Sequence, residues 1–164
     1  MDDAIMNRNS LLTLVGAIVL CNLAGLLGSL VTITGSGSWY ESLVKPAFNP
    51  PSWVFAPAWT TLYILMGIAL FLVIMEGRKG SDVRIPLVLF GIQLVLNAIW
   101  SFAFFGLESP LAGVIVILLL WVFIAATMVT FYPVRKLATV LLIPYILWVS
   151  FASVLNYSIY ILNP

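Results

Sequence analysis

The sequence predicts an all-α membrane protein: one domain, residues 1–164, built as a bundle of five transmembrane helices with an ordered proline and aromatic loop between helices 1 and 2. Hydrophobic residues make up 63% of the chain, charged residues 8%, and the mean hydropathy is +1.15. A soluble globular surface cannot be built from this composition. The charged residues also frame five uncharged runs, each long enough for the roughly 20 helical residues that cross a membrane. These runs cover residues 9–40, 46–75, 85–107, 109–134 and 137–164.

The first predicted helix, about residues 9–33, follows a polar segment that carries Asp2, Asp3 and Arg8. Its apolar part exceeds the roughly 7 to 15 residues of a signal-peptide h-region, so we expect it to remain as a span. Small residues recur along it at a spacing of four, which lets another backbone approach closely. The single cysteine lies here and can form no disulfide within the chain. The small residues are Ala17, Cys21 and Gly25 in one row, and Ala24 and Gly28 in another.

The stretch from residue 39 to 59, WYESLVKPAFNPPSWVFAPAW, contains three of the six tryptophans and four of the nine prolines. Proline fixes its own φ and moves the preceding residue toward extended geometry, so we expect Lys45-Pro46 and Asn49-Pro50-Pro51 to hold an ordered, non-helical path in a lid that covers one end of the bundle. The alternative is an ordinary aromatic belt at the membrane interface. The second predicted helix covers about residues 52–75, with Trp59 and Tyr63 on one face. The aromatic residues of the stretch are Trp39, Tyr40, Phe48, Trp53, Phe55 and Trp59.

The third predicted helix, about residues 85–105, carries a distinctly polar intramembrane face. Gln93, Asn97 and Trp100 follow one another at offsets that keep them on the same side of the helix. An amide in hydrocarbon costs free energy unless it has a partner, so both amides should face the bundle interior or a ligand. Two interpretations stay open for them, hydrogen bonds between helices and the wall of a cavity.

The last two predicted helices differ in character. The fourth, about residues 111–132, is almost wholly aliphatic, which predicts a lipid-facing or scaffolding helix. The fifth, about residues 137–162, contains Pro144, whose missing amide donor should bend the helix. It also carries a second polar and aromatic face that can oppose the face of the third helix. That face consists of Tyr145, Trp148, Ala152 and Asn156.

The distribution of cations predicts the orientation in the membrane. If the five helices alternate in direction, all cations except Lys45 fall on one side. The positive-inside rule then places the N-terminus in the cytoplasm of a prokaryotic cell, and the proline and aromatic loop and the C-terminus outside. A net charge of +1 without a basic cluster argues against nucleic acid as a partner. The cations on the cytoplasmic side are Arg8, Arg78, Lys79, Arg84, Arg135 and Lys136.

Four motifs, spread over three separated parts of the chain, resemble the TspO/MBR family of tryptophan-rich sensory proteins, whose animal members are the translocator protein or peripheral-type benzodiazepine receptor. The resemblance implies a five-helix bundle with a pocket that opens toward the first loop. It also implies binding of porphyrins such as protoporphyrin IX, of isoquinoline carboxamide and benzodiazepine-type drugs and, in animals, of cholesterol. The motifs are WYxxLxKPxxxPP at 39–51, VFxxxWxxLY at 54–63, QxxxNxxWS at 93–101 and PYxxWxxFAxxLN at 144–156.

The resemblance also implies roles for individual residues. Trp59 and Trp148 match the tryptophans implicated in the light- and oxygen-dependent breakdown of protoporphyrin IX by some bacterial members, so they are the candidate catalytic residues. The cholesterol motif is incomplete, because no cation follows Tyr157, and sterol binding there is in doubt. Matches to the family pocket are Tyr40, Trp59, Asn97, Trp100, Trp148 and Ala152. Together with the residue-level reasoning, the candidate ligand-binding set is Trp39, Tyr40, Phe55, Trp59, Gln93, Asn97, Trp100, Tyr145, Trp148 and Ala152.

The residue types make physical sense of a porphyrin ligand. Indole and phenol rings can stack on a broad apolar disc, while Lys45 or an amide could meet a carboxylate near the mouth. The chain has no histidine to serve as an axial ligand. We therefore expect a metal-free macrocycle as ligand, no metal site and no required cofactor.

Two further classes of function stay open beside a receptor or sensor that binds porphyrin. A transporter of tetrapyrroles, lipids or sterols is the main alternative, although the spans carry no charged residue and no internal repeat is evident. A sensor that passes a signal to a partner is the other. The partners that we expect are a hydrophobic small molecule and the lipid bilayer, and the small-residue faces could support a homodimer.

Overall fold

The computed structural model describes residues 8–164, so the predicted polar segment with Asp2 and Asp3 lies outside the described residues. The described chain is helical and contains no strand. Five stretches are long and apolar enough to cross a membrane, as predicted: Arg8–Ser29, Ser52–Arg78, Arg84–Gly106, Pro110–Val134 and Lys136–Leu162. The elements in order are α1 (Arg8–Ser29), α2 (Trp39–Ser42), a 3₁₀ turn (Ser52–Val54), α3 (Phe55–Arg78), α4 (Arg84–Ser101), a π-helical turn (Phe102–Gly106), α5 (Pro110–Val134), α6 (Lys136–Leu141) and α7 (Ile143–Leu162).

Several helix ends differ from the prediction, for example α3 ends at Arg78 rather than near residue 75, and two of the differences have a clear cause. Helix α1 ends at Ser29 rather than near residue 33, because the amides of residues 30–32 bond to carbonyls three residues back and the chain then leaves the helix. The fifth span is interrupted at Leu142, two residues before Pro144. Pro144 lies in the first turn of α7, where its missing N–H costs no helical hydrogen bond. In a continuous helix the ring of Pro144 would clash with the carbonyl four residues earlier. The helix is therefore interrupted just before Pro144.

The spans form a closed ring in which order along the chain is not order in space. Helix α1 packs between α3 and α4, α5 packs between α4 and α7, and α6 returns to α3. Helices α3 and α7 make far less contact with each other than α3 and α6 do. The ring is therefore tight at the end where α6 lies and looser at the other end, where α7 runs away from α3.

The tight end is a packed apolar core. Met66, Ala69 and Val73 of α3 are fully buried, and the rings of Phe90 and Phe131 stack at 5.8 Å between α4 and α5. These residues fill the interior at the end of the bundle that carries the cluster of cations.

Small residues of α1 allow its close approach to α3. Ala17, Cys21 and Gly28 are buried, and a side chain on Gly25 would overlap the ring of Tyr63. At Gly67 of α3, an added Cβ would lie 2.5 Å from the Cα of Ile18, so the two backbones almost touch. This small-residue face is used inside the bundle, and a homodimer stays a prediction that would need another surface.

The segment of residues 35–51, called the lid below, closes the looser end of the ring. The predicted non-helical path at Lys45-Pro46 and Asn49-Pro50-Pro51 is confirmed, since no helix covers residues 43–51. Before these prolines the lid contains the short helix α2, which was not predicted, and Ser38 caps its first turn through its side chain. Lys45 closes the other end of α2 by donating to the carbonyls of Glu41 at 3.2 Å and Leu43 at 3.1 Å. Its ammonium also lies 4.7 Å from the centre of the Tyr40 ring. The prediction of an ordered path is supported by these contacts.

Candidate functional site

A cavity of about 640 Å³ lies beneath the lid at the looser end of the bundle. Its walls come from α1, α3, α4 with the π-helical turn, and α7, and the lid contributes Tyr40 from α2. Helix α5 supplies no wall residue, which agrees with its predicted role as a scaffolding or lipid-facing helix. The cavity exists here because α3 and α7 separate toward this end.

The structure brings most of the predicted site residues together around this cavity. Three of them are placed elsewhere. Trp39 lies in the lid with its ring 5.5 Å from that of Phe104, and Gln93 and Tyr145 are buried behind the wall, each 1% exposed. The predicted residues that line the cavity are Tyr40, Phe55, Trp59, Asn97, Trp100, Trp148 and Ala152.

Trp59 is the centre of the first aromatic wall. Its ring stacks on Tyr63, with centroids 5.6 Å apart and planes at 25°, and meets Trp148 edge to face at 6.4 Å and 85°. Phe55 then contacts Trp148 at 6.0 Å and 74°. These mutually packed rings present rigid flat surfaces from α3 and α7 to the cavity. Tyr63 also lines the cavity, and its position one turn after Trp59 was the sequence signal that could have placed it in the candidate set.

A second aromatic wall stands on α4 and the π-helical turn. Trp100 stacks on Phe104 at 5.6 Å and 22°, and Phe104 meets Phe105 at 4.8 Å. Tyr40 of the lid packs on Phe105 at 5.5 Å. Phe104 and Phe105 line the cavity and are missing from the predicted set, because a regular α-helix would not carry both toward the same space. Their signal in the sequence was the aromatic run directly after Trp100.

A chain of hydrogen bonds closes the deep end of the cavity and joins three helices. The hydroxyl of Tyr63 donates to Oδ1 of Asn97, whose Nδ2 donates to the hydroxyl of Tyr145 at 3.0 Å. The Tyr145 hydroxyl donates in turn to Oε1 of Gln93 at 2.9 Å. Gln93 is therefore held by an interhelical hydrogen bond and does not reach the cavity. Asn97 takes part in the same chain and also lines the cavity, so both interpretations of the amides apply to it.

Two indole N–H groups at the cavity differ in their partners. Trp100 Nε1 donates to Oδ1 of Asn156 at 3.0 Å, and Asn156 Nδ2 donates to the carbonyl of Pro110 at 3.0 Å, which locks α4, α5 and α7 together. Trp148 Nε1 is buried and has no hydrogen-bond partner within residues 8–164. Trp148 thus has a buried donor that the bundle does not use.

The cavity walls carry no charged side chain within the described part of the chain. Lys45 does not line the cavity, and its ammonium donates to two carbonyls and lies against Tyr40, so its contact with a ligand carboxylate at the mouth stays a prediction. Burial raises the pKa of the Tyr40 hydroxyl above its usual value, an effect that its hydrogen bond to Asn49 partly offsets. Tyr40 therefore stays neutral, and the site as a whole is uncharged at neutral pH.

The cavity also extends sideways, toward the surface that faces the bilayer. Val19, Leu23 and Leu26 of α1 line it and are about half exposed, between 48% and 59%. Ala56 and Thr60 of α3 also line the cavity and are exposed. In residues 8–164 no three His, Cys, Asp or Glu side chains gather where they could hold a metal ion. The chemistry that this site offers is the stacking of flat rings, with a few neutral donors and acceptors at its edges.

The fold and the site define a multi-pass helical membrane protein with an aromatic cavity beneath a lid. The sequence profile of the TspO/MBR family matches residues 17–162. The chain is 51% identical over 159 residues to the tryptophan-rich protein TspO of Chlorobaculum tepidum, covering 97% of this chain and 100% of that protein. The chain belongs to the TspO/MBR family.

Other relatives extend the same relationship. The chain is 39% identical over 146 residues to the protein CrtK of Rhodobacter capsulatus, with 89% of each chain covered. It is 38% identical over 144 residues to the translocator protein of Bos taurus, covering 87% of this chain and 85% of that protein. These relationships support an integral membrane protein with a role of the sensor or receptor type.

Proposed function

We propose that this protein is a membrane receptor for flat, largely apolar ligands of the tetrapyrrole type, with metal-free protoporphyrin IX as the representative ligand. The observation that carries the proposal is the pair of aromatic walls around the cavity. Trp59 and Trp148 stand on one side and Trp100 on the other. A volume of about 640 Å³ lies within the roughly 300–1,000 Å³ typical of small-molecule sites. Flat rings gain contact area with such walls on both faces of the ligand.

The lack of charged side chains on the described walls favours one orientation of the ligand. Carboxylates pay a large desolvation cost in an uncharged apolar site, so the acidic edge of a porphyrin should stay at the mouth, near the lid and water. The unpartnered N–H of Trp148 offers one donor to the ligand, and Asn97 is the amide at the deep end. A metal-free ring suits this set, since the chain has no histidine for axial ligation.

A breakdown of the bound porphyrin by light and oxygen is the second part of the proposal. Trp59 and Trp148 are the residues assigned to it, because both line the cavity and their rings are in contact. An excited porphyrin and molecular oxygen would supply the oxidising chemistry, and the two indoles are the oxidisable groups next to the ligand. No conventional acid-base or nucleophilic machinery is required.

Binding and sensing suit the architecture better than transport. The cavity lies beneath the lid at one end of the bundle and extends to one side, whereas the far half of the bundle is filled by residues such as Met66, Val73 and Phe90, each 2% exposed or less. Within residues 8–164 the cavity is not continued through that half toward the opposite membrane surface. A transporter would need this core to rearrange.

The proposal is tested by titrating the purified protein with protoporphyrin IX and following the absorbance of the porphyrin. We expect Trp59→Phe and Trp148→Phe to weaken binding by roughly three- to tenfold each, because each loses stacking area. The matched control is Trp121→Phe, since Trp121 lies on α5 and does not line the cavity. Equal affinities in the parent and in all three variants would show that the cavity is not the porphyrin site.

A further inference from the structure

The lid is held to the bundle in two different ways. Its aromatic residues pack on the π-helical turn and on α7, with Trp39 at 5.5 Å from Phe104 and Phe48 at 6.3 Å from Phe151. Such apolar contacts tolerate sliding, because they have little directional preference. In the described chain, the hydrogen bonds that join the lid to a helix distant in sequence all pass through one side chain, that of Asn163.

Asn163 follows the last residue of α7 and uses its whole amide group. Its Oδ1 accepts the N–H of Val44 at 2.9 Å, and its Nδ2 donates to the carbonyl of Val44 at 2.9 Å. The second N–H of Nδ2 donates to the carbonyl of Ile159 at 2.8 Å, one of the carbonyls left open at the end of the helix. The side chain therefore pairs with Val44 as a neighbouring strand would, while it caps α7.

These contacts connect the lid to a helix that forms a wall of the cavity. Ile159, whose carbonyl accepts a hydrogen bond from Nδ2 of Asn163, lines the cavity together with Trp148 and Ala152 of the same helix. On the lid, Val44 lies four residues after Tyr40, which lines the cavity and is 7% exposed. Asn163 itself is not part of the wall. It can act on a ligand only through the position of the lid.

We propose that Asn163 is a positioning residue that latches the lid over the cavity and thereby sets the rate at which ligand enters and leaves. The latch consists of the two hydrogen bonds to Val44. Breaking them frees the lid while the aromatic walls stay in place. The statement about ligand rests on the proposed function, whereas the statement about the lid does not.

The lid part is tested without ligand, by the rate at which a water-soluble maleimide labels a cysteine placed at Leu43 in a Cys21→Ala background. Leu43 packs against the apolar cluster under the lid. Cys21 is the single cysteine of the chain, so its replacement leaves the introduced thiol as the only one that can be labelled. We expect Asn163→Ala to raise the labelling rate about tenfold, because two hydrogen bonds are lost. Asn163→Asp should raise it as well, since a carboxylate of the same shape cannot donate to the two carbonyls.

The matched control is Ser158→Ala, which removes only a hydroxyl bonded within α7, to the carbonyl of Val154 at 2.8 Å. It should label at the parent rate. If Asn163→Ala also labels at the parent rate, the latch does not exist, whatever the protein binds.

The ligand part is tested by stopped-flow mixing of the same variants with protoporphyrin IX. We expect the association and dissociation rate constants of Asn163→Ala to rise by a similar factor, with the Kd changed by less than about threefold, because a gate alters the barrier and not the contacts. Faster labelling with unchanged rate constants would overturn the gating role of the lid. If the parent protein binds no porphyrin, the proposed function fails, and the labelling rates alone still decide whether the latch exists.

Discussion

The indole rings of Trp59 and Trp148 meet edge to face, with centroids 6.4 Å apart and planes at 85°. The two residues come from α3 and α7, which otherwise separate at this end of the bundle. Their contact forms a corner, and a flat ligand that stacks on one ring places an edge against the other. The corner brings two oxidisable side chains next to the same bound molecule.

This corner leads to a prediction about photochemistry. When the purified protein and protoporphyrin IX are illuminated in air, the porphyrin absorbance should decay faster with the parent protein than with the double variant Trp59→Phe and Trp148→Phe. Phenylalanine keeps a ring in place but is much harder to oxidise. The control is the double variant Trp53→Phe and Trp121→Phe, whose residues do not line the cavity. Equal decay in the parent and in the corner variant, at equal occupancy by porphyrin, would show that neither tryptophan takes part in the breakdown.

The buried hydrogen-bond chain predicts a loss of stability in Tyr145→Phe. The change leaves Oε1 of Gln93 without its donor and Nδ2 of Asn97 without its acceptor, and both residues are 4% exposed or less. An unsatisfied buried polar group costs about 1–3 kcal/mol, so the free energy of unfolding should fall by roughly that amount.

Thermal unfolding in detergent measures this effect, and the control is Tyr132→Phe, because Tyr132 is 55% exposed and on the outer surface. An unchanged melting temperature in Tyr145→Phe would mean that the chain of hydrogen bonds contributes little.

The number of spans could be predicted from the sequence because charged residues mark the helix ends. The depth at which an individual residue lies in the bundle could not be predicted from the sequence. Gln93 and Asn97 share one face of α4, yet they differ by one turn, about 6 Å along the axis. That distance separates the wall of the cavity from the packed core, and only the packing of the neighbouring helices decides which residue lies on which side.

The lid shows a second limit. Prolines predicted an ordered path, but the helical turn α2 decides that Tyr40 faces the cavity and that Trp39, next to it, does not. The pairing of Val44 with Asn163 spans 119 residues of sequence. No local pattern contains such a contact. Likewise, the π-helical turn that carries Phe104 and Phe105 inward depends on an irregularity of the backbone rather than on composition.

The orientation in the membrane is predicted by the cations other than Lys45, which lie at helix ends opposite the lid, such as Arg78 at the end of α3 and Arg84 at the start of α4. We expect the lid to face outward and this end to face the cytoplasm. In a Cys21→Ala background, a membrane-impermeant maleimide added to intact cells should label Ser36→Cys and spare Ser81→Cys. Both positions are exposed, so they form a matched pair. If only Ser81→Cys is labelled, the protein has the opposite orientation in the membrane.

The close approach of α1 and α3 predicts opposite effects for two glycine substitutions. In Gly67→Ala, the new methyl group would lie 2.5 Å from the Cα of Ile18, so α1 must move away from α3 and the melting temperature should fall, with a cost of about 1–3 kcal/mol for overpacking. In Gly16→Ala, nothing lies within 4 Å of the new Cβ, and alanine is the better helix former by roughly 0.5–1 kcal/mol. We therefore expect Gly16→Ala to unfold at or above the parent temperature. Similar losses in both variants would show that α1 responds to side-chain volume in general, and not to its contact with α3.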